Sequence, residues 1–344
     1  MTADAVGGVW TYALDLVEAL PDDVEVVLAV MGRRPTAEQR ARLREVAPVG
    51  FEARDFALEW MDEPWTDVAR AGEWLLELAN DNDVDLVHLN GYVHAALPFA
   101  VPVVVVAHSC VLSWHEAVRR QPVDARWARY ATSVSRGLRA AAVVVSPTAA
   151  LLAELRRVYG VDGEAVVIPN GRSRAGLAPL PKEELVLGVG RVWDEAKNLG
   201  ALERVEPELP WPVLVAGEGG SLGHADADTL RGLYGRAAIF AEPARYEPFG
   251  LAALEAGLCG CALVLGDIPS LREVWQEAAI YVDPFDDAAL ASALRRLIAD
   301  DRMRAHLAGE ARRCALGYSP ERMAFAYHGL YRHLASRRLL EAAV

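Results

Sequence analysis

Lysine is almost absent from this 344-residue chain: Lys182 and Lys197 are the only two, and the other basic side chains among 35 are arginine. Basic residues are also outnumbered, 35 against 48 acidic, for a formal charge of −13. That balance excludes nucleic acid as a bulk partner, because phosphate binding draws on clustered cations. Four cysteines (Cys110, Cys259, Cys261, Cys314) are too few for a disulfide framework at this length. Cys259 and Cys261 have no second close pair, which argues against a zinc ribbon. No run approaches the ~18 apolar residues of a membrane span, and no basic stretch followed by an apolar one opens the chain. The expectation is a cytoplasmic protein without a transmembrane segment. Internal repeats and low-complexity tracts are lacking too.

What is present is regular. At roughly 100–200 residues per domain, the length predicts two domains, each with its own core. Short apolar runs at 24–30, 86–89, 101–107, 142–145 and 166–168 read as strands, followed by others at 185–189, 213–216, 238–241, 262–265 and 280–282. Helical periodicity separates them, as at 9–20, 69–79, 149–159 and 251–258. Such alternation, with near-continuous apolar strands, predicts α/β architecture with parallel sheets covered on both faces. We expect an N-terminal domain over 1–172, a boundary in the aperiodic stretch 170–183, and a C-terminal domain over 183–318. A last helix over 319–344, opened by Ser319-Pro320, is expected to pack back on the first domain. A doubly wound domain ordinarily opens on an apolar strand; here the turn Gly7-Gly8 follows Met1-Thr2-Ala3-Asp4 at once, so the first strand is short or missing.

Two stretches carry chemistry. In Glu247-Pro248-Phe249-Gly250-Leu251, proline suits the first turn of a helix, placing Glu247 at its N-terminus and Glu255 about two turns further in. Free N–H groups of Phe249, Gly250 and Leu251 would make an anion site there, strengthened by the helix dipole. Glu255 lies among Ala252, Ala253, Leu254, Ala256 and Leu258, where an unpaired carboxylate would be costly. In the second stretch, the apolar run 185–189 ends in a glycine turn, and Arg191 and Lys197 bracket a short loop. Two cations six residues apart at a strand's carboxyl end suit a diphosphate. Salt bridges from these cations to Asp194 or Glu195 are the structural alternative. A dinucleotide fingerprint fits poorly, since Trp193 stands where its third glycine belongs.

Together these elements resemble the retaining glycosyltransferases of family 4, whose fold is GT-B: two Rossmann-like doubly wound domains facing across a cleft. Gly7-Gly8-Val9 is similar to the family's glycine loop, the stretch 146–152 to the segment after its late N-terminal strand, and Ile168-Pro169-Asn170-Gly171 to its Asn-Gly turn before the linker. The resemblance implies that Arg191 and Lys197 bind the diphosphate of a nucleotide-sugar donor, assisted by the backbone of Gly7, Gly8, Gly250 and Leu251. It implies that Glu255 holds the ribose, and that Glu247 contacts the donor sugar and stabilises positive charge at its anomeric carbon. His108, after the 103–107 run, would contact the sugar as well. The implied reaction is transfer with retention and without a metal or other cofactor. No carboxylate is an obvious nucleophile, so a front-face displacement is expected, the leaving phosphate helping deprotonate the acceptor.

Asp83-Val84-Asp85 and Asp226-Ala227-Asp228 match a metal-binding triplet, but three-letter patterns in an acidic chain carry little; the second reads as a helix start. His115-Glu116 lacks the second histidine of a zinc-protease helix. Between 216 and 234 the family usually has a further helix and strand, which this chain omits, so nucleobase preference transfers least. The acceptor, a small molecule, glycan or lipid-linked sugar, is not named by the sequence. Residues 51–88 carry a net charge of −9 and residues 101–140 a net +4. Arg119, Arg120, Arg126 and Arg129 lie near Trp114 and Trp127, and are expected to pair with the acidic stretch. The alternative is an anionic or lipid acceptor or a peripheral membrane contact. Rival functions are a phosphorylase, with Lys182 alone left for its pyridoxal cofactor, an epimerase, a catalytically silent nucleotide-sugar-binding scaffold, and an NAD-dependent oxidoreductase.

Overall fold

The computed structural model describes residues 1–5, 7–46, 50–223 and 225–342, with side chains through Arg338. Positions 343–344 of the expected last helix lie outside the described residues. Two compact units emerge: Met1–Ser113, Pro122–Gly171 and Pro320–Val344 form the first, and Trp114–Gln121 with Arg172–Ser319 form the second.

The first unit holds strands β1 (Thr2–Asp4), β2 (Val27–Met31), β3 (Gly50–Ala53), β4 (Val87–Leu89), β5 (Val103–Val106), β6 (Val143–Ser146) and β7 (Ala165–Val167). They form a three-stranded sheet β1-β2-β3 and a four-stranded sheet β4-β5-β6-β7, with every pairing parallel. The opening strand is therefore present but three residues long, paired Thr2 to Ala29 and Asp4 to Met31. The consecutive valines of β5 show why these runs lack alternation. Val103 and Val105 enter one core with Trp74, Leu75 and Leu138, while Val104 and Val106 enter the other with Tyr12, Leu16 and Tyr327. Both faces are covered, so every position must be apolar. Tyr327 and Met323 come from the helix Pro320–Ala342, which completes that second core.

The second unit holds β8 (Glu183–Val189), β9 (Val213–Ala216), β10 (Ala237–Glu242), β11 (Ala262–Gly266) and β12 (Ala279–Val282) in one parallel sheet of order β12-β11-β10-β8-β9. Val186, Ile239 and Val264 face one core; Leu187, Phe240, Leu263 and Leu265 face the other. After β9 the chain makes a tight turn through residues 217–223 and enters the helix Ala227–Arg236, capped by Asp226 accepting from the Thr229 N–H at 2.8 Å. The Asp226-Ala227-Asp228 triplet is thus a helix start. Lys182, just ahead of β8, donates to the backbone carbonyls of Tyr234, Ala237 and Cys259 at 3.4, 2.9 and 2.8 Å. Among the described residues no helix is long and apolar enough to cross a membrane.

Candidate functional site

The strand order decides where chemistry can gather in the second unit. β9 lies on one side of β8 and β10 on the other, so the loops leaving the carboxyl ends of β8 and β10 diverge above neighbouring strands. Such a switch point is where doubly wound sheets bind ligands. The β8 loop is residues 190–199 and the β10 loop 243–250. Asn198, held at φ 52°, ties them together: its side chain donates to the carbonyls of Pro243 (3.0 Å) and Pro284 (2.7 Å). The Arg245 N–H donates to the Ala196 carbonyl at 2.8 Å. Gly217 keeps the β9 turn flush against this loop, since a Cβ there would meet the Gly190 carbonyl oxygen at 1.8 Å.

Both cations of the β8 loop are engaged by carboxylates. Arg191 donates to Asp194 at 2.8 Å, as the salt-bridge alternative anticipated, and the Trp114 indole N–H donates to the other Asp194 oxygen at 3.1 Å. Burial opposes charge on Asp194, but these hydrogen bonds outweigh it and hold the carboxyl below its ordinary range. Lys197 donates to Glu242 at 2.7 Å and to Glu247. Burial works against the ammonium, yet two adjacent carboxylates raise its pKa far above the usual lysine value. Glu242, the last residue of β10, has a side chain with no exposure at all; its Oε2 makes no hydrogen bond. The sequence reading did not single it out.

The helix expected to open at Pro248 spans Leu251–Leu258 instead. Gly250 stands in left-handed backbone, φ 93°, which no continuing helix tolerates, so Pro248 belongs to the loop before it. The N–H groups of Phe249 and Gly250, expected to be free, both donate to Glu247 Oε1 at 3.2 and 2.9 Å. The Glu247 side chain folds over its own loop, which leaves Leu251 as the expected N–H at the helix end. Burial pushes the Glu247 carboxyl up, but Lys197 and these two N–H groups prevail and keep it below the usual range. Glu255 is also paired: Arg172, in the former linker, donates to it at 2.7 Å, and each side chain is 19% exposed.

The remaining expected residues lie in the first unit. Gly7, at φ 83°, caps the helix Gly8–Ala19 without any side-chain cap, leaving backbone N–H groups at that end. His108 follows β5. Its Nε2 lies 2.8 Å from Asn90 Oδ1, and His88 Nε2 lies 3.2 Å from the same oxygen. The Asn90 amide nitrogen donates to the Thr2 carbonyl at 2.6 Å, which fixes which end of the amide is oxygen. Both imidazoles must therefore carry their proton on Nε2. His88 Nδ1 then accepts from the Tyr331 hydroxyl at 2.6 Å, and burial lowers the His88 pKa to about 3. His108 Nδ1 is left as an acceptor with no hydrogen bond among the described residues, and burial lowers the His108 pKa too. Asn90→Asp should bring His108 titration up toward neutrality, because a carboxylate beside Nε2–H favours the imidazolium. The ring C–H proton shifts followed against pH would show it, and an unchanged titration would remove Asn90 as the group that sets the tautomer.

Comparison with known proteins accounts for both halves. Residues 6–174 match the family described as Glycosyltransferase Family 4, and residues 220–313 match Glycosyl transferases group 1. Among solved structures, a sucrose-phosphate synthase from Thermosynechococcus elongatus aligns with TM-score 0.80 at 21% identity, covering 97% of this chain and 95% of that one. Anabaena HepE, in complex with UDP and glucose, aligns with TM-score 0.73 at 15% identity, covering 97% and 100%. The fold is GT-B. Each half of the chain thus resembles a glycosyltransferase family, and the whole shares the fold of these enzymes. A glycogen synthase of Mycobacterium tuberculosis is 29% identical over 277 residues, 67% of this chain. The chain spans 64% of the length of that relative. A D-inositol 3-phosphate glycosyltransferase of Salinispora arenicola is 41% identical over 99 residues, 28% of this chain and 22% of its own.

Within this GT-B chain the four arginines near Trp114 and Trp127 do not pair with the acidic stretch 51–88 as expected. Arg119 bonds Glu195 at 2.7 Å; Arg120 lies 3.8 Å from the Phe285 ring centroid, and Arg126 and Arg129 stack on Trp127 and Trp65. A flat guanidinium gains as much from an aromatic face as from an exposed carboxylate, and charge counts along a sequence do not see it. Asn90, Arg172 and Glu242 are the site residues that sequence reasoning missed.

Proposed function

We propose that the chain is a glycosyltransferase that moves a sugar, with retention and without a metal, from a nucleotide-diphosphate sugar to an acceptor hydroxyl. The observation that carries this reading is the meeting of Lys197 with Glu247 at the switch point of the second unit, beside Arg191 and a helix N-terminus. Arg191 retains guanidinium donors beyond the one spent on Asp194, and Lys197 retains one N–H of three. With the Leu251 N–H they would stabilise charge building on the departing diphosphate, the task a metal performs elsewhere. Glu247, held ionised, is suited to stabilise the positively charged anomeric carbon. Glu255 is assigned to the ribose and Arg172 positions it. The Nδ1 of His108 is suited to accept from a sugar hydroxyl, and the N–H groups near Gly7 and Gly8 to approach an anion.

In the front-face step, the bond between the anomeric carbon and the phosphate oxygen breaks as the acceptor oxygen bonds that carbon from the same side. The acceptor's proton passes to the departing phosphate oxygen. HepE's complex with UDP and glucose makes UDP-glucose the first donor to try.

The test is a thermal-shift screen with UDP-, GDP-, ADP- and TDP-sugars, followed by hydrolysis of whichever binds. A ligand at 100 times its dissociation constant adds about 2.7 kcal/mol, visible as a raised melting temperature. The sugar should be released with its original anomeric configuration, at a rate EDTA leaves unchanged. Binding without hydrolysis or transfer would mark a scaffold, inversion would exclude the front-face step, and magnesium-reversible loss on EDTA would overturn the metal-free reading.

A further inference from the structure

Lys197 is short of charge for the task assigned to it. Its ammonium faces two carboxylates, Glu242 at 2.7 Å and Glu247, so the cluster carries one positive charge against two negative. Asp194 adds a further negative field and is itself neutralised by Arg191 at 2.8 Å. From the other side Glu242 meets the neutral phenol of Tyr234, on the helix Ala227–Arg236. A nucleotide-diphosphate sugar would bring two more negative charges to Lys197. The site as built repels them unless one carboxylate gives up its charge.

The two carboxylates are not equivalent. Glu247 accepts from Lys197 and from the N–H groups of Phe249 and Gly250, and is partly open to solvent. Glu242 accepts only from Lys197 among the described residues; its Oε2 is sealed in the core without a partner. Removing the Glu242 charge therefore costs one hydrogen bond to an ammonium that would gain a phosphate in return.

We propose that Glu242 is the resident counter-ion of Lys197, that a nucleotide-diphosphate sugar takes its place, and that one proton from solvent enters the site on Glu242 as the donor binds. This rests on the donor reading above. Burial, which dominates at Glu242, together with repulsion from Glu247, outweighs the attraction of Lys197 and raises its pKa, so Glu242 takes a proton more readily than an exposed glutamate.

The test is calorimetric titration with UDP-glucose and with GDP-mannose from pH 6 to pH 9, in buffers of differing ionisation enthalpy. Their diphosphates are esterified at both ends and do not themselves titrate there. Wild-type protein should take up about one proton per donor on the alkaline side, with affinity falling by up to about tenfold per pH unit. Glu242→Gln, and Glu242→Met as a second variant of similar volume, should bind with no uptake from this group, a flat pH profile, and higher affinity than wild type at pH 9. Donor binding without proton uptake in the wild type overturns the inference and leaves the donor site standing. So does uptake that persists in both variants. Failure of every protein to bind either donor overturns the donor reading and the inference with it.

Discussion

Lys197→Met should destabilise the free protein as well as disable it. The substitution leaves Glu242 and Glu247 buried side by side with no cation between them, and breaking a buried pair in this way costs about 3–5 kcal/mol. The loss should be larger at pH 8 than at pH 6, because Glu242 can take a proton at the lower pH and relieve the repulsion. Chemical denaturation at the two pH values would measure this. An unchanged midpoint at pH 8 would show that the three side chains do not form one buried cluster. Donor affinity should fall by at least ~2 kcal/mol, the worth of a charged hydrogen bond to phosphate. A variant that binds donor as wild type does would remove Lys197 from the diphosphate site.

Glu247→Gln should separate rate from binding. The amide oxygen can still accept from the Phe249 and Gly250 N–H groups, so the loop before the helix keeps its shape. The negative charge facing the anomeric carbon is gone, and preorganised electrostatic groups of this kind are worth about 100–1,000-fold in turnover. The donor dissociation constant should change far less than kcat. A near-normal kcat would refute the assignment of Glu247 to the transition state, whereas a matched loss of binding and rate would make it a positioning residue for the loop.

Most strands of the three sheets could be read because burial on two faces leaves an unmistakable apolar run, as at Val103–Val106 and in the strand closed by Glu242. β1 and β3 escaped for a physical reason: Thr2–Asp4 is three residues long, and Gly50–Ala53 has a half-exposed face with no continuous apolar run. The start of the helix at Leu251 was misplaced because a proline that suits a first turn also suits the loop before it. The glycine two positions later was the competing signal, and its left-handed backbone prevailed. Arg191, Lys197, Glu247 and Glu255 could be picked out by type and spacing, and the Asp194 partner of Arg191 with them; the partners Glu242 and Arg172 could not. Arg172 stood in a stretch without periodicity, and nothing local ties it to a residue 83 positions away. Glu242 did leave an unread trace, an acid closing five apolar residues ahead of a proline, the pattern of a buried charge in need of a partner. Asn90 had no such signal, since it sets the tautomers of His88, on β4, and His108, just beyond β5.

The two lysines have a consequence for anyone who handles this protein. One ammonium is held by three backbone carbonyls and the other by two carboxylates. Amine-acylating labels, bead couplings and lysine cross-linkers should therefore fall on Lys182, which is exposed, before Lys197, which is mostly buried between its carboxylates. An adduct at Lys197 would mark a molecule whose loop had let go of Glu242 and Glu247. Mass mapping of that one position, with and without a nucleotide sugar, turns the shortage of lysine into a built-in reporter of whether the loop is occupied.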